Sequence, residues 1–99
     1  MTCPPEIARL VVEIIGRSAL AIRAAGWSGD AERCAVLADH IHNLPDLLAD
    51  YSPRKLLYYW DAEKPCFEQA IGEQGRIAFQ PRWEQLLPFV EEARLARAP

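Results

Sequence analysis

From Glu6 onward, Ile7, Leu10, Val11, Ile14, Ile15, Ser18 and Ile22 recur at the three- and four-residue intervals of an amphipathic helix. Glu6, Arg9, Glu13 and Arg17 form the opposing charged stripe, with Arg9/Glu13 and Glu13/Arg17 four positions apart. Pro4 and Pro5 suit a first helical turn, and Gly26, Ser28, Gly29 and Asp30 supply a stop and a turn. A second helix is predicted from Asp30 or Ala31 towards Asp50. Cys34, Leu37, Ala38, Ile41, Leu44 and Leu48 trace its apolar face, extended by Val36 and Leu47. Pro45 removes a backbone donor from its interior, so a kink or break is expected across 42–44. The short connection makes these two helices an antiparallel hairpin.

The second half is more interrupted. Ser52-Pro53 reads as an N-cap with proline at the first helical position. Leu56, Trp60, Phe67 and Ile71 share a stripe if that helix continues to Gly72, although Pro65 interrupts it and disfavours helical backbone at Lys64. Gly72 and Gly75 are expected to bracket a loop, with 76–80 extended. Gln80-Pro81 then opens a last helix carrying Trp83, Leu86, Leu87, Val90 and Ala93, bent or restarted at Pro88. The pattern predicts an all-α fold: one domain over 1–99, a small irregular bundle of four to five helices with proline kinks.

Composition agrees. Of 99 residues, 51% are hydrophobic and 25% charged, too apolar a balance for intrinsic disorder. Ala and Leu dominate the apolar set, which favours helix over strand. A net charge of −3 without any run of Lys or Arg argues against nucleic acid as a partner. The apolar start of the chain is broken by Glu6, Arg9, Glu13, Arg17 and Arg23, so neither a membrane span nor a signal peptide is expected. Cys3, Cys34 and Cys66, an odd number, read as reduced thiols of a cytoplasmic protein. Cys3 falls at the mobile end, Cys34 on a core face. Cys66 would be reactive only if Pro65 set it in a helical first turn, and an inert or buried thiol is the expectation.

Candidate chemistry concentrates between Ala38 and Asp46, which hold both histidines. His40 falls in the apolar arc and is expected to pack there, bonded to a carbonyl or to Tyr51, Tyr58 or Tyr59. His42 lies towards Asp39 and Asp46, a ligand set compatible with a transition metal if Glu13 or Asp61 completed it. Glu32, Asp39, Asn43, Asp46 and Asp50 occupy one sector with no interleaved Lys or Arg. Tyr58 and Tyr59 cannot both point inward, and an exposed tyrosine is a common interface anchor. The leading expectation is a protein-interaction module without catalytic activity or cofactor, of the adaptor or inhibitor and immunity-protein kind. Glu32, Asp39, Asn43, Asp46, Asp50, Tyr58 and Tyr59 would meet a cationic protein, with the chain itself a monomer or homodimer. The alternative is a metal- or ligand-binding helical protein centred on Asp39, His42 and Asp46. No nucleotide loop, nucleophile elbow, zinc motif or calcium loop is present.

Overall fold

The computed structural model describes residues 2–97, and among these every regular element is helical. Helix α1 (Pro5–Trp27) is followed by α2 (Ala31–Asn43), α3 (Pro45–Ala49) and α4 (Pro53–Tyr58). A π-helical turn (Tyr59–Glu63) then leads into α5 (Lys64–Arg97). No described helix is long and apolar enough to cross a membrane.

The first hairpin forms as its pattern predicts. Ser28 and Gly29 close α1: Asp30 N–H reaches back to the Ala25 carbonyl (3.0 Å), and the Ser28 hydroxyl donates to the same oxygen (3.0 Å). Asp30 in turn caps α2, its carboxylate accepting from Arg33 N–H at 3.0 Å. The antiparallel register shows in two cross-helix contacts, Cys34 Sγ to the Ile22 carbonyl (3.8 Å) and His40 to Ser18 (3.3 Å). Leu37 and Leu44 are buried on this face, Ile41 is half-buried and Ala38 is exposed, so the apolar arc is narrower than its sequence suggested. Pro45 ends α2 at Asn43, within the expected span, but does not unwind the backbone. Leu44 keeps helical torsions (φ −62°, ψ −39°), and Pro45 opens α3 as a first-turn residue whose N–H would have been unpaired anyway.

Ser52 caps α4 as expected, accepting from Lys55 N–H at 3.2 Å. Pro65 has a different consequence from the one its sequence implied. The chain neither breaks nor leaves the helical region, and Lys64 stays at φ −57°, ψ −45°. Instead the preceding turn widens, with Lys64 N–H bonding to the Tyr59 carbonyl five residues back. That wider turn accommodates the proline ring and adds one residue to the helical repeat. The stripe is therefore re-phased: Tyr59, not Trp60, lies in line with Leu56, Phe67 and Ile71. Trp60 remains half-buried at the edge, where the Lys64 ammonium sits 4.6 Å from its ring and 4.6 Å from that of Trp83.

Residues 76–80 are helical, a correction to the extended segment and to the cap at Gln80-Pro81. One true break divides α5, at Gly72 (φ 74°, ψ −179°), a backbone region that is essentially glycine's alone. Just beyond it the chain returns so close that a Cβ on Gly75 would lie 2.8 Å from Ile71 Cβ. Beyond the break, Phe79, Trp83, Leu86, Val90 and Ala93 form an unbroken three-four stripe, all buried, with Leu87 outside it. Pro81 and Pro88 lie on the exposed side, where carbonyls deprived of a donor meet water rather than the core. Arg82 also donates to the Ala78 carbonyl at 3.3 Å, in the turn that Pro81 loosens. Arg9 to Gln85 (2.9 Å) and Arg82 to Glu13 (3.5 Å) tie this limb to α1, and Arg94 forks onto Asp61 (2.6 and 3.0 Å).

Two energetic outcomes follow from this packing. Leu37→Ala should destabilise the fold by about 2–5 kcal/mol in denaturant titration, because Leu37 is fully buried. Gly72→Ala should cost about 1–3 kcal/mol, the strain of placing a Cβ at that torsion. If 72→Ala were neutral, α5 would not be broken there.

Candidate functional site

The buried polar groups form one directed chain. Ser18 donates its hydroxyl proton to the Ile14 carbonyl (2.8 Å), so its oxygen must accept from His40 Nδ1–H (3.3 Å). His40 Nε2 is thereby the acceptor for the Tyr59 hydroxyl (3.1 Å), whose oxygen accepts from Trp83 Nε1–H (3.0 Å). His40 (4% exposed) stacks on Phe67 with ring centroids 3.8 Å apart, and Phe67 meets Phe79 edge-on at 4.9 Å. His40 is thus the packed histidine that its apolar setting predicts, bonded to Tyr59 rather than to Tyr51 or Tyr58. Burial drives its pKa from 6.5 down to about 4 and raises that of Tyr59 well above the usual phenol value. Neither group is poised as an acid–base catalyst near neutrality.

Above this chain runs a furrow between α2–α3 on one side and α4, the π turn and the start of α5 on the other. Its near end lies between Glu32, Arg33 and Val36 and the facing Cys66 and Gln69. Its middle has Asp39 and Asn43 on one wall and Tyr58, Glu63 and Cys66 on the other, with Phe67 between. Its far end takes in Asp46, Leu47, Arg54 and Lys55. The stretches share Val36 and Cys66, then Asn43, Tyr58 and Glu63, so the three depressions adjoin along one furrow.

Of the residues singled out in the sequence, Glu32, Asp39, Asn43, Asp46 and Tyr58 line this furrow, and all five are exposed, Tyr58 by 62%. Asp50 does not line it. Its carboxylate is bound by Lys55 Nζ at 3.1 Å and held below the ordinary carboxylate pKa, first by that hydrogen bond. The stripe therefore has Lys55 beside its far end, with Arg54 on the same lining and Arg33 at the near end. Tyr59 borders the far end of the furrow but is 2% exposed and committed to His40 and Trp83, so it offers little surface there. The π turn sends it inward and leaves its neighbour outside.

Asp39, His42 and Asp46 do not come together as a metal site. Among the described residues no three His, Cys, Asp or Glu side chains converge in that way. Glu13 is engaged by Arg9 and Arg82, and Asp61 by Arg94. Cys66 is exposed on the furrow wall, not buried, and the π turn carries the helix into it, so it occupies no first turn. Cys3 packs against the core instead of lying free, and burial raises its pKa.

Glu63 escaped the sequence reading. It belongs to the π turn, half-buried, and its pKa is raised first by burial and then by the neighbouring Asp46. Only the widened turn aims it across the furrow at α3, and no local sequence signal short of that turn would have found it. Compared with known proteins, the chain matches no family model, no curated protein and no solved structure.

Two measurements separate the buried chain from the furrow. Tyr59→Phe removes the partner of both His40 Nε2 and Trp83 Nε1, and should destabilise by about 1–3 kcal/mol, whereas Tyr58→Phe should change stability by less than about 0.5 kcal/mol. The unfolded chain binds a proton at His40 below pH 6.5, while the folded one resists until about 4. Stability should therefore be fully present above 6.5 and fall as pH drops towards 4, by about 3 kcal/mol. His40→Gln should flatten that part of the stability–pH curve, and an unchanged slope would show that His40 is not its source.

Proposed function

We propose that this chain is a protein-interaction module whose furrow receives a cationic segment of a partner protein. The observation that carries the reading is the set of carboxylates along the furrow. Glu32, Asp39, Asp46 and Glu63 form no ion pair with any described residue, while the nearby cations are partly engaged. Lys55 binds Asp50, and Arg33 directs its Nε to the Ala70 carbonyl. Acids outnumber bases along the groove, Asp30, Glu32, Asp39, Asp46 and Glu63 against Arg33, Arg54 and Lys55, and such an excess of negative charge speeds capture and fixes register. Glu63 adds a half-buried site whose charge costs most to maintain without a partner, so a cation there gains most. Exposed Tyr58 supplies an aromatic face for a guanidinium or an apolar anchor.

An adaptor or an inhibitor of a cationic protein would use such a surface. No catalytic role is assigned: His40 and Tyr59 are sealed in the core, and Glu63, raised in pKa on the furrow wall, is read as part of the cation-binding surface. Metal binding, the other reading, has no convergent ligand set to support it.

The test is association with a partner recovered on the immobilised chain, its rate measured at two ionic strengths. The double variant Asp39→Lys/Asp46→Lys should slow association about tenfold at low salt, with the gap narrowing as salt screens the field. Circular dichroism should be unchanged, since both side chains are exposed. Equal rates for the folded double variant and the parent would remove the furrow from the binding surface.

A further inference from the structure

On the opposite flank of α2 lies a second depression, a trough of about 660 Å³ between the later half of α1 and the break in α5. It lies at the Gly72 break in α5, and small groups line much of its walls, Ala21 and Ala24 from α1 and Gly75 and Ala78 from α5. Leu37, Ile71 and Phe79 form its floor, and Leu20, 59% exposed, forms an apolar lip. The size falls in the range of sites for small organic molecules, and the lining is mainly apolar.

Charge selects the occupant. Two guanidinium groups line the trough, Arg17 and Arg33. Arg17 makes no ion pair with a described residue. Arg33 is half-buried and oriented by its Nε bond to the Ala70 carbonyl, which leaves its two terminal nitrogens without a carboxylate. One of them lies 3.7 Å from where a Gly72 Cβ would be, beside the floor of the trough. Glu73 is the single carboxylate in the lining and is exposed.

We propose that this trough binds a free medium-chain carboxylate, the alkyl chain against the alanine walls and the carboxylate on the fork of Arg33, with Arg17 adding to the local positive field. A planar guanidinium held in place pairs with a carboxylate through two parallel bonds. A neutral chain of the same length gains the apolar contact alone, and a cationic one is repelled.

The probe is decanoate below its micelle concentration, titrated calorimetrically against the whole chain, with decanol and decyltrimethylammonium as matched controls. Decanoate should bind saturably at one site and at least about tenfold more tightly than decanol, with the ammonium analogue weaker still. Arg33→Gln should weaken decanoate about tenfold without affecting decanol. Ala24→Phe should fill the trough and abolish binding, and Ala78→Phe does the same from the other wall should the first variant fold poorly. Asp39→Lys, in the furrow, should leave decanoate binding intact, so this site and the protein-binding surface fail or survive separately. No saturable binding, equal affinity for decanol, or binding that survives a folded trough-filling variant would each overturn the proposal.

Discussion

The hydrogen bond between the Tyr59 hydroxyl and His40 Nε2 is the constraint around which the molecule is arranged. It joins two residues that would each be costly to bury alone, and it does so at the centre of an aromatic cluster. Because Ser18 has already given its proton to the Ile14 carbonyl, the direction of every bond in the chain is set. Four helical segments contribute one member each: α1, α2, the π turn and the second limb of α5. Sliding any of them by one residue would leave a buried donor or acceptor without a partner, which apolar packing alone would not penalise so sharply. No buried side-chain polar atom among the described residues lacks a hydrogen-bond partner.

That constraint explains the π turn. In a regular helix Trp60 would be in phase with Phe67 and would enter the core, as its sequence stripe implied. The indole could not accept from Trp83 and donate to His40 at once, since it has a donor and no acceptor, whereas a phenol has both. Pro65 makes the wider turn favourable at that point, and the extra residue brings the phenol inward. Trp60 at the edge then forms, with Trp83, a slot for the Lys64 ammonium, whose charge is also met by Glu68 at 2.9 Å. The local irregularity and the central hydrogen bond depend on each other.

What could be read from the sequence follows from how local each cause is. α1, its stop, the Asp30 and Ser52 caps and the hairpin were legible because spacing and capping operate within a few residues. His40 was legible as a packed residue because its helical neighbours are apolar, and the exposed acids followed from the same geometry, as did the exposure of one of Tyr58 and Tyr59 but not which. Trp60 and Tyr59 were exchanged because the phase depends on a π turn that no periodicity count contains. The loop expected over Gly72–Gly75 was half right: Gly72 does break the helix, but Gly75 is glycine for close approach to Ile71, not for a turn. Phe79 was missed because Pro81 was taken as a beginning, although a proline facing water can remain inside a helix that curves round its core. The pairing of Asp50 with Lys55 and the placement of Glu63 required tertiary knowledge of where α4 and the π turn fall.

The prolines and the glycine therefore divide differently from the way their local propensities suggest. Pro45, Pro81 and Pro88, the apparent interruptions, are absorbed with the backbone still helical, because each sits at a first turn or faces solvent. The two real departures are the π turn and Gly72, and each lies against an open surface. Widening at 59–63 places Glu63 and Tyr58 on the acidic furrow, while the turn at Gly72 lies in the lining of the trough. α2 lies between the two, and Arg33 reaches both, fastened to the Ala70 carbonyl where the first limb of α5 ends. A substitution that restored a regular helix at either irregularity would thus alter a surface and the core together, which places the molecule's recognition chemistry at the points where its helices are least ideal.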